Sequence, residues 1–285
     1  MEYKLLYGNV KIPVLGLGTW QIGGKYEADY SSDEENIQAM KKAIELGYTL
    51  IDTAELYGAG HTEELVGKAI NHVDRKKLFI VSKVIGSHLS YNNVVTAAKK
   101  SLERLQIAYF DLYLIHHPNP DIPMKETMRA MDYLVEYGIT KFIGVSNFSV
   151  KEMQEAQKWS KNKIAVNQIQ YSLISRNKST YCDCVNMESE IIPYCQENGI
   201  VIMADRPLHK GELLDKTNPV MDKLCKKYKK TTPQIALNWL ISKKNIITIP
   251  KSTNIEHLKE NLGAMGWRLD KEDIDLLDTT DFWMA

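Results

Sequence analysis

Four side chains that could together donate a proton stand directly after strand-like segments of the sequence. Asp52 ends the run at residues 48–51, Tyr57 follows five residues later, and Lys83 and His116 close two further runs. A free phenol has a pKa of about 10 and is a poor acid at neutral pH. An adjacent ammonium group lowers that pKa, while a carboxylate keeps the ammonium charged and oriented. The set therefore suits protonation of an oxygen that gains negative charge, with the histidine orienting that oxygen or relaying its proton.

Other reaction classes need groups that this set does not contain. The four residues include no evident nucleophile, metal cluster or carboxylate pair for hydrolysis. A lysine that forms a Schiff base must be desolvated and uncharged, whereas Asp52 would hold Lys83 protonated. A hydrolase or a Schiff-base aldolase is therefore the weaker alternative.

Each of these side chains alone has an ordinary structural explanation. Asp52 could cap a helix, Lys83 could be a solvated surface lysine, and His116 could be a hydrogen-bonded core histidine. Their joint occurrence at the ends of successive strand-like runs favours a functional site.

The elements that would position these residues alternate along the chain. A helical pattern with a cap at Ser32 and a stop at Gly47 is the first of a series of helices. Apolar strands separated by helices predict a parallel sheet whose outer face the helices cover. Strand-like runs lie at residues 14–18, 48–51, 78–82, 112–115, 142–145, 165–169, 200–204 and 246–249.

Eight such units predict an α/β fold of the closed (β/α)8 TIM barrel type. An N-terminal β-hairpin is expected over residues 3–13, around the turn pair Gly8-Asn9, and an extra C-terminal helix over residues 271–277. The competing architecture, an open doubly wound sheet, carries a phosphate fingerprint after its first strand. Gly16-Leu17-Gly18-Thr19-Trp20 has no third glycine at a helix start, so the barrel is preferred.

Composition limits the classes of partner. The chain has 285 residues, 44% of them hydrophobic, and 36 basic side chains balance 36 acidic ones, so no net field attracts nucleic acid or an anionic membrane. No apolar run approaches the ~20 residues of a membrane helix, and the first residues do not begin a signal peptide. We expect a cytoplasmic protein with one domain over residues 1–285, a small-molecule substrate and a monomeric state.

The four cysteines do not predict a metal site. Cys182-Asp183-Cys184 lacks the two-residue gap of a zinc knuckle, and no histidine stands at ligand spacing. Reduced thiols are expected at Cys182, Cys184, Cys195 and Cys225. A redox-sensitive pair formed by Cys182 and Cys184 is the alternative.

A barrel gathers the residues that follow its strands around one mouth, where the active sites of this fold lie. We therefore expect a binding surface around the four proton-transfer candidates. Its other members, in chain order, are Thr19-Trp20-Gln21, His117, Ser146-Asn147, Gln168, Asp205-Arg206 and Lys251-Ser252.

In this order and spacing the motifs resemble those of the aldo-keto reductases, and the resemblance covers nearly the whole chain. Single motifs are short, but the series is specific. The matching stretches are Gly16-Leu17-Gly18-Thr19-Trp20, Asp52-Thr53-Ala54 with Tyr57-Gly58, Ser82-Lys83, Leu114-Ile115-His116 with Pro118, Gly144-Val145-Ser146-Asn147-Phe148, Asn167-Gln168 and Ile249-Pro250-Lys251-Ser252.

The resemblance implies reversible hydride transfer between a nicotinamide cofactor and an aldehyde or ketone. Tyr57 would be the general acid, Asp52 and Lys83 its tuning pair, and His116 the group that orients the carbonyl. Relatives that reduce carbon–carbon double bonds have glutamate in place of this histidine, so His116 favours carbonyl chemistry.

The resemblance also implies NADPH as the cofactor, with NADH as an alternative. Ser146, Asn147 and Gln168 would hold the nicotinamide carboxamide, and Lys251 and Ser252 the adenosine 2′-phosphate. The other expected cofactor contacts are Thr19, Trp20, Asp52, Asp205, Arg206, Pro207, Leu208, His257 and, at the adenine, Glu260 and Asn261.

Two residues depart from the family pattern near the cofactor. Asp205 stands where relatives present an aromatic ring to the nicotinamide, which predicts weaker or differently organised cofactor binding. His257 stands where many NADP-preferring relatives have arginine, a residue that is always charged and grips phosphate bidentately. We expect looser discrimination between NADPH and NADH. Arg206 either reaches a cofactor phosphate or pairs with Asp205.

The expected substrate contacts are Trp20, Tyr57, His116 and His117. Alternate residues of a strand face opposite ways, so only one of the two histidines can point inward, and the family motif selects His116. His117 replaces a tryptophan that often lines the pocket, which predicts a more polar wall; a surface-loop histidine is the alternative. Phe282-Trp283 either line the pocket or pack in the core.

A second function class stays open from the sequence. Some members of this fold family are regulatory or channel-associated subunits that keep the cofactor site without significant turnover. Retention of Asp52, Tyr57, Lys83 and His116 favours the enzyme.

Overall fold

The computed structural model describes residues 1–177, 186–215 and 218–282. The chain divides into two compact units. The central unit is Leu17–Asn167, and the terminal unit combines Met1–Gly16 with Gln168–Ala285. That all 285 residues form one domain stays a prediction.

The predicted N-terminal hairpin is present in the terminal unit. Strands β1 (Tyr3–Leu5) and β2 (Lys11–Pro13) pair antiparallel, with Lys4 opposite Ile12. The turn between them passes through Gly8 and Asn9, both with positive φ, as glycine and asparagine tolerate.

The central unit alternates strands and helices in the predicted order. Its strands form the buried layer of the unit. Every residue of the strands Phe79–Val84 and Phe110–Ile115 is buried. The elements are β3 (Leu17–Gly18), α1 (Asp33–Leu46), β4 (Leu50–Asp52), α2 (His61–Ile70), β5 (Phe79–Val84), α3 (Tyr91–Leu105), β6 (Phe110–Ile115), α4 (Met124–Glu136), β7 (Thr140–Ser146), α5 (Val150–Trp159) and the start of β8 (Ile164–Gln170).

Local signals set the ends of α1 and α5. Helix α1 has three acidic residues in its first turn, where their negative charge interacts favourably with the positive end of the helix dipole. Gly47 ends the helix in the left-handed conformation at φ 112°. The Ser32 side chain makes no capping hydrogen bond, although the residue occupies the cap position. Helix α5 begins with a full capping box between Ser149 and Glu152.

The terminal unit contains the remaining elements. A π-helical turn, Met187–Ile191, leads into α6 (Ile192–Asn198). The elements that follow α6 are β9 (Val201–Asp205), α7 (Glu212–Asp215), α8 (Pro219–Tyr228), α9 (Thr232–Ser242), β10 (Ile246–Thr248), α10 (Ile255–Leu262) and α11 (Lys271–Thr279). Helix α11 is the predicted extra C-terminal helix.

Strands β3 to β10 form one eight-stranded sheet in which sequence neighbours are spatial neighbours. The pairs β3–β4, β4–β5, β5–β6, β6–β7 and β9–β10 are parallel. Thr248 at the end of β10 also bridges Leu15 in parallel, and its carbonyl accepts the Gly16 N–H across 2.9 Å. This order and this bridge are those expected of a closed (β/α)8 barrel. Across the described part of the chain, no helix is long and apolar enough to cross a membrane.

Candidate active site

Lys83 is the centre of the candidate site in the central unit. Its side chain is fully buried, and its ammonium nitrogen lies 2.8 Å from Asp52 Oδ2, 2.9 Å from the Thr53 carbonyl and 3.0 Å from the Tyr57 phenol oxygen. An ammonium group has three N–H donors, so these contacts use all of them. The Tyr57 phenol oxygen is an acceptor in this arrangement.

The electrostatics of Lys83 favour the charged form. Burial alone lowers the pKa of the ammonium, but the Asp52 carboxylate and the Tyr57 oxygen oppose that effect, and the pKa of Lys83 is raised above its ordinary value. The lysine is therefore a fixed positive charge beside the phenol. A Schiff-base role, which needs a neutral amine, does not fit this environment.

A tight loop after β4 carries Tyr57; we call residues 53–60 the Tyr57 loop. Gly58, Ala59 and Gly60 have φ values of 55°, 52° and 97°, so three successive residues adopt the left-handed conformation. A Cβ atom at Gly58 would lie 2.5 Å from the Gly23 carbonyl oxygen, so only glycine fits there. This turn brings Tyr57, which is 7% exposed, back over the end of β5.

The His116 ring contacts the Tyr57 ring edge-on, with ring centroids 5.6 Å apart. Its backbone N–H donates to the Val84 carbonyl across 2.9 Å, one residue beyond Lys83, which ties the two strand ends together. Tyr57, Lys83 and His116 are thus neighbours in one unit.

The expectation that His116 and His117 point to opposite sides is wrong. Their rings stack at 5.0 Å between centroids with only 9° between the planes. Strand β6 ends at Ile115, so both histidines lie beyond the strand and its alternation no longer applies. His116 is 7% exposed, and His117 is half-buried beside it.

Two aromatic side chains, Trp20 and Tyr26, lie in a row next to the Tyr57 phenol. The Trp20 ring contacts the Tyr57 ring edge-on at 4.8 Å and the exposed Tyr26 ring at 5.4 Å. Both belong to residues 19–32 between β3 and α1, which we call the Trp20 loop. Thr19 begins this loop, and its hydroxyl donates to the Asp52 carbonyl across 2.8 Å.

The end of β7 places two further predicted residues next to His116. Ser146 and Asn147 are buried, and Asn147 adopts the left-handed conformation at φ 62°. The Asn147 amide donates to the His116 carbonyl across 3.1 Å and to the Ser146 hydroxyl across 3.0 Å. The central unit therefore brings together Thr19, Trp20, Asp52, Tyr57, Lys83, His116, His117, Ser146 and Asn147.

The terminal unit contains the other predicted cofactor residues. Gln168 is buried on β8, and its amide lies 2.9 Å from the Met203 sulfur. At the end of β9, Arg206 pairs with Asp205 across 3.3 Å, so the predicted alternative of pairing is present. Arg206 has φ 46°, and the turn continues through Pro207 and Leu208.

Lys251 and Ser252, the residues expected to hold the 2′-phosphate, follow β10. Desolvation lowers the pKa of the Lys251 ammonium group. Ser252 accepts the Asn254 N–H across 3.0 Å, and the Asn254 side chain caps α10 by accepting two backbone N–H groups. Helix α10 carries His257 on its exposed side, Glu260 at intermediate exposure and Asn261 buried.

Sequence reasoning missed three residues that support this site. Thr53 supplies a carbonyl to Lys83. Glu55 accepts the Ile85 N–H across 2.8 Å and thereby joins the Tyr57 loop to the end of β5. Buried Glu63 accepts from Ser82 and Arg104 behind the strand. Thr53 and Glu55 lie inside the motif that contains Asp52 and Tyr57, and that position was the available signal.

Some predicted features lie outside the described residues. These are Cys182, Cys184 and Trp283. Cys195 and Cys225 are free thiols, and Phe282 is buried, in keeping with core packing. Within residues 1–177, 186–215 and 218–282, no group of three or more histidine, cysteine or acidic side chains is arranged to hold a metal ion.

Comparisons with known proteins agree with this geometry. The family model described as the aldo/keto reductase family matches residues 14–281. Glyoxal reductase of Bacillus subtilis is 36% identical over 96% of this chain and 90% of its own length.

Solved structures are similar over almost the whole chain. A thermostable aldo-keto reductase in complex with the inhibitor epalrestat is 44% identical with a TM-score of 0.91, over 98% of this chain and 99% of that one. An aldo/keto reductase from Klebsiella pneumoniae, in complex with NADP and acetate, is 32% identical with a TM-score of 0.86, over 98% and 95%. The predicted barrel fold is confirmed, and the chain belongs to the aldo/keto reductase family.

Proposed function

We propose that this enzyme reversibly reduces aldehydes and ketones to alcohols with NADPH, and that Tyr57 is the general acid. The observation that carries the proposal is the buried contact between the Lys83 ammonium and the Tyr57 phenol oxygen, 3.0 Å apart. A fixed positive charge stabilises the phenolate that remains after proton donation. The phenol thereby becomes an acid suited to neutral pH.

Asp52 and Thr53 orient the Lys83 ammonium group. Each accepts one of its N–H bonds, and the third is directed at the phenol oxygen. Because that oxygen accepts from Lys83, the phenol's own O–H is the donor for a substrate carbonyl oxygen. His116, at ring contact with Tyr57, would orient the same oxygen.

The residues present fit a nicotinamide dinucleotide phosphate. Ser146, Asn147 and Gln168 are buried amide and hydroxyl groups of the kind that hold a carboxamide. Lys251 shortly precedes the start of α10, which Asn254 caps, and a lysine at such a position suits a phosphate. When bound, NADPH supplies the hydride. The roles of Thr19, Trp20, Asp205, Arg206, Pro207, Leu208, Ser252, His257, Glu260 and Asn261 stay predictions.

The names of similar proteins indicate where to begin with substrates. The 36% identical relative is a glyoxal reductase, so small α-dicarbonyl compounds are the first substrates to test. The half-buried His117 beside His116 makes that wall of the site more polar than a tryptophan would. The cytoplasmic location and the monomeric state stay predictions.

The regulatory-subunit alternative has no specific support. Its expected mark would be an incomplete proton-donating set, whereas Asp52, Tyr57 and Lys83 are in mutual contact.

Oxidation of NADPH, followed at 340 nm with glyoxal, methylglyoxal, aromatic aldehydes and sugars, tests the proposal. Tyr57→Phe should lower kcat by roughly 10²- to 10⁴-fold while the NADPH Kd stays within about twofold. Full activity in Tyr57→Phe, or no turnover of any carbonyl by the wild type, would contradict the proposed function.

A further inference from the structure

Two hydrogen bonds to backbone carbonyls of the Trp20 loop fasten it to the Tyr57 loop and the first turn of α2. The Gly58 N–H donates to the Lys25 carbonyl across 3.0 Å. The Thr62 hydroxyl donates to the Ile22 carbonyl across 2.5 Å. The Trp20 ring, which rests on the catalytic phenol, is therefore placed by a loop whose attachment is local and hydrogen-bonded.

His61, the first residue of α2, makes a further contact at the C-terminal end of the Trp20 loop, where α1 begins. Its Nε2 lies 2.8 Å from Asp33 Oδ1, the first residue of α1, and its Nδ1 lies 3.0 Å from Glu64 Oε2. The Tyr30 ring packs on the imidazole at 4.3 Å between centroids. The His61 side chain is only 4% exposed, whereas Asp33 is 27% and Glu64 47% exposed. The imidazole is thus enclosed between two carboxylates.

Only a charged imidazole satisfies both contacts. A neutral imidazole has one N–H donor and one acceptor nitrogen, so it can donate to one carboxylate and must repel the other. Burial lowers the pKa of His61, but Glu64 and Asp33 oppose it and raise that pKa above its ordinary value of 6.5. The complete arrangement therefore belongs to the protonated form.

Other titratable groups near His61 come from the Trp20 loop, from helix α3 and from α2 itself. The Trp20 loop contributes Asp29, whose carboxyl interacts with the imidazole, and the Tyr30 phenol. Helix α3 contributes Arg104, which lies against Gly60 and is engaged by Glu63 of α2. The groups in direct ion-pair contact with His61 are the two carboxylates described above.

We propose that His61 is a positioning residue for the substrate-facing ring of Trp20. By joining the first residues of α1 and α2, it holds the end of the Trp20 loop against the loop that carries Tyr57. The inference rests on the proposed function, in which Trp20 contacts the substrate. Loss of the clamp should weaken substrate binding and leave proton donation by Tyr57 intact.

His61→Gln is the direct test, because an amide has its N–H donors on one terminal atom only and an acceptor oxygen on the other, whereas the imidazole contacts the two carboxylates through two separate nitrogens. We expect wild-type KM for glyoxal to rise between pH 6 and pH 9, and the variant to show a high, flat KM. At pH 6 the difference should be about three- to tenfold, the net worth of one ordinary hydrogen bond, with kcat within about twofold. The exposed His72→Gln is the matched control and should follow the wild type.

A second measurement needs no turnover. In protein labelled with 5-fluorotryptophan, the Trp20 resonance, assigned with Trp20→Phe, should shift with the same midpoint as the His61 ring, above pH 6.5. His61→Gln should abolish that shift. If His61→Gln does not fold, Asp33→Asn should move the midpoint to lower pH.

A Trp20 resonance whose pH response persists in His61→Gln, or an unchanged KM profile, would overturn the clamp. Failure of the proposed function looks different, because the coupled titration would then be present in a protein that reduces no carbonyl compound.

Discussion

The ammonium nitrogen of Lys83 lies 3.0 Å from the phenol oxygen of Tyr57, and both side chains are buried. The same nitrogen lies 4.8 Å from the centre of the Tyr57 ring. The Asp52 carboxylate pairs with the same ammonium group and holds it in place. In the proposed mechanism, the positive charge of Lys83 stabilises the phenolate that Tyr57 leaves after it donates its proton.

Lys83→Met should abolish this compensation while keeping the length of the side chain. We expect kcat to fall by roughly 10²- to 10⁴-fold at pH 7, the usual worth of a tuned general acid. Residual turnover should not decline with pH until the phenol reaches its ordinary pKa of about 10. Steady-state kinetics between pH 6 and pH 10.5 would show both effects. The exposed Lys100→Met is the control, and a Lys83→Met variant with wild-type kcat would contradict the role of the lysine.

Asp52→Asn should reveal the linkage between the buried ion pair and folding. The pKa of Lys83 is raised in the folded protein, so its stabilising contribution is complete below the ordinary lysine pKa of 10.5 and is lost as pH rises through the folded value. Removing one partner of a buried pair costs about 3–5 kcal/mol at neutral pH. Urea unfolding from pH 7 to pH 11 should show this deficit shrinking above pH 10.5. A deficit that is independent of pH would contradict the linkage.

The elements could be predicted because short-range signals determine them, and the approach of Asp52, Tyr57 and Lys83 could be predicted because a barrel gathers the residues that follow its strands around one mouth. Apolar runs define strands such as β5, and glycine defines the sharp turn at Gly58. The stacked orientation of His116 and His117 could not be predicted, since it depends on β6 ending at Ile115. The contacts of His61 also could not, because His61 follows no strand and belongs to none of the recognised motifs, so no pattern in the sequence pairs it with Asp33.

Arg104→Met should destabilise the fold strongly. Arg104 Nε and the Ser82 hydroxyl donate to Glu63, whose side chain is completely buried. Burial already raises the pKa of Glu63, and Arg104 opposes that effect. Removing Arg104 leaves an unpaired buried carboxylate, for which we expect a loss of about 3–5 kcal/mol in the free energy of unfolding.

The pH dependence of that loss has a definite sign. Ionisation of a carboxyl with a raised folded pKa opposes folding, so its cost appears as pH rises from the unfolded pKa towards the folded one. The difference between Arg104→Met and wild type should therefore be smaller at pH 5 than at pH 7 in urea unfolding. Lys100→Met on the same helix should change stability by no more than about 0.5 kcal/mol at either pH. Equal differences at the two pH values would contradict this assignment of the cost to Glu63.

Lys251→Met should separate NADPH from NADH. A cation that contacts the 2′-phosphate stabilises only the phosphorylated cofactor, so Kd for NADPH should rise about 10- to 100-fold while Kd for NADH stays within about twofold. His257→Arg should change the preference in the opposite direction, since arginine is always charged and binds phosphate bidentately. Fluorescence titration of both variants with both cofactors would measure this. An equal loss of both affinities in Lys251→Met would place the lysine away from the 2′-phosphate.

Asp205→Tyr should strengthen cofactor binding. Asp205 stands at the end of β9 and is 17% exposed, where it pairs with Arg206 across 3.3 Å. An aromatic ring at this position can stack on the nicotinamide, and aromatic pairs contribute about 0.5–1.5 kcal/mol beyond the area that they bury. We therefore expect the NADPH Kd to fall about two- to tenfold. Asp205→Asn, which removes the charge without adding a ring, is the matched control and separates stacking from loss of the ion pair. If Asp205→Asn tightens binding as much as Asp205→Tyr, charge repulsion rather than the missing ring limits the affinity, and an affinity that falls in Asp205→Tyr would contradict both explanations.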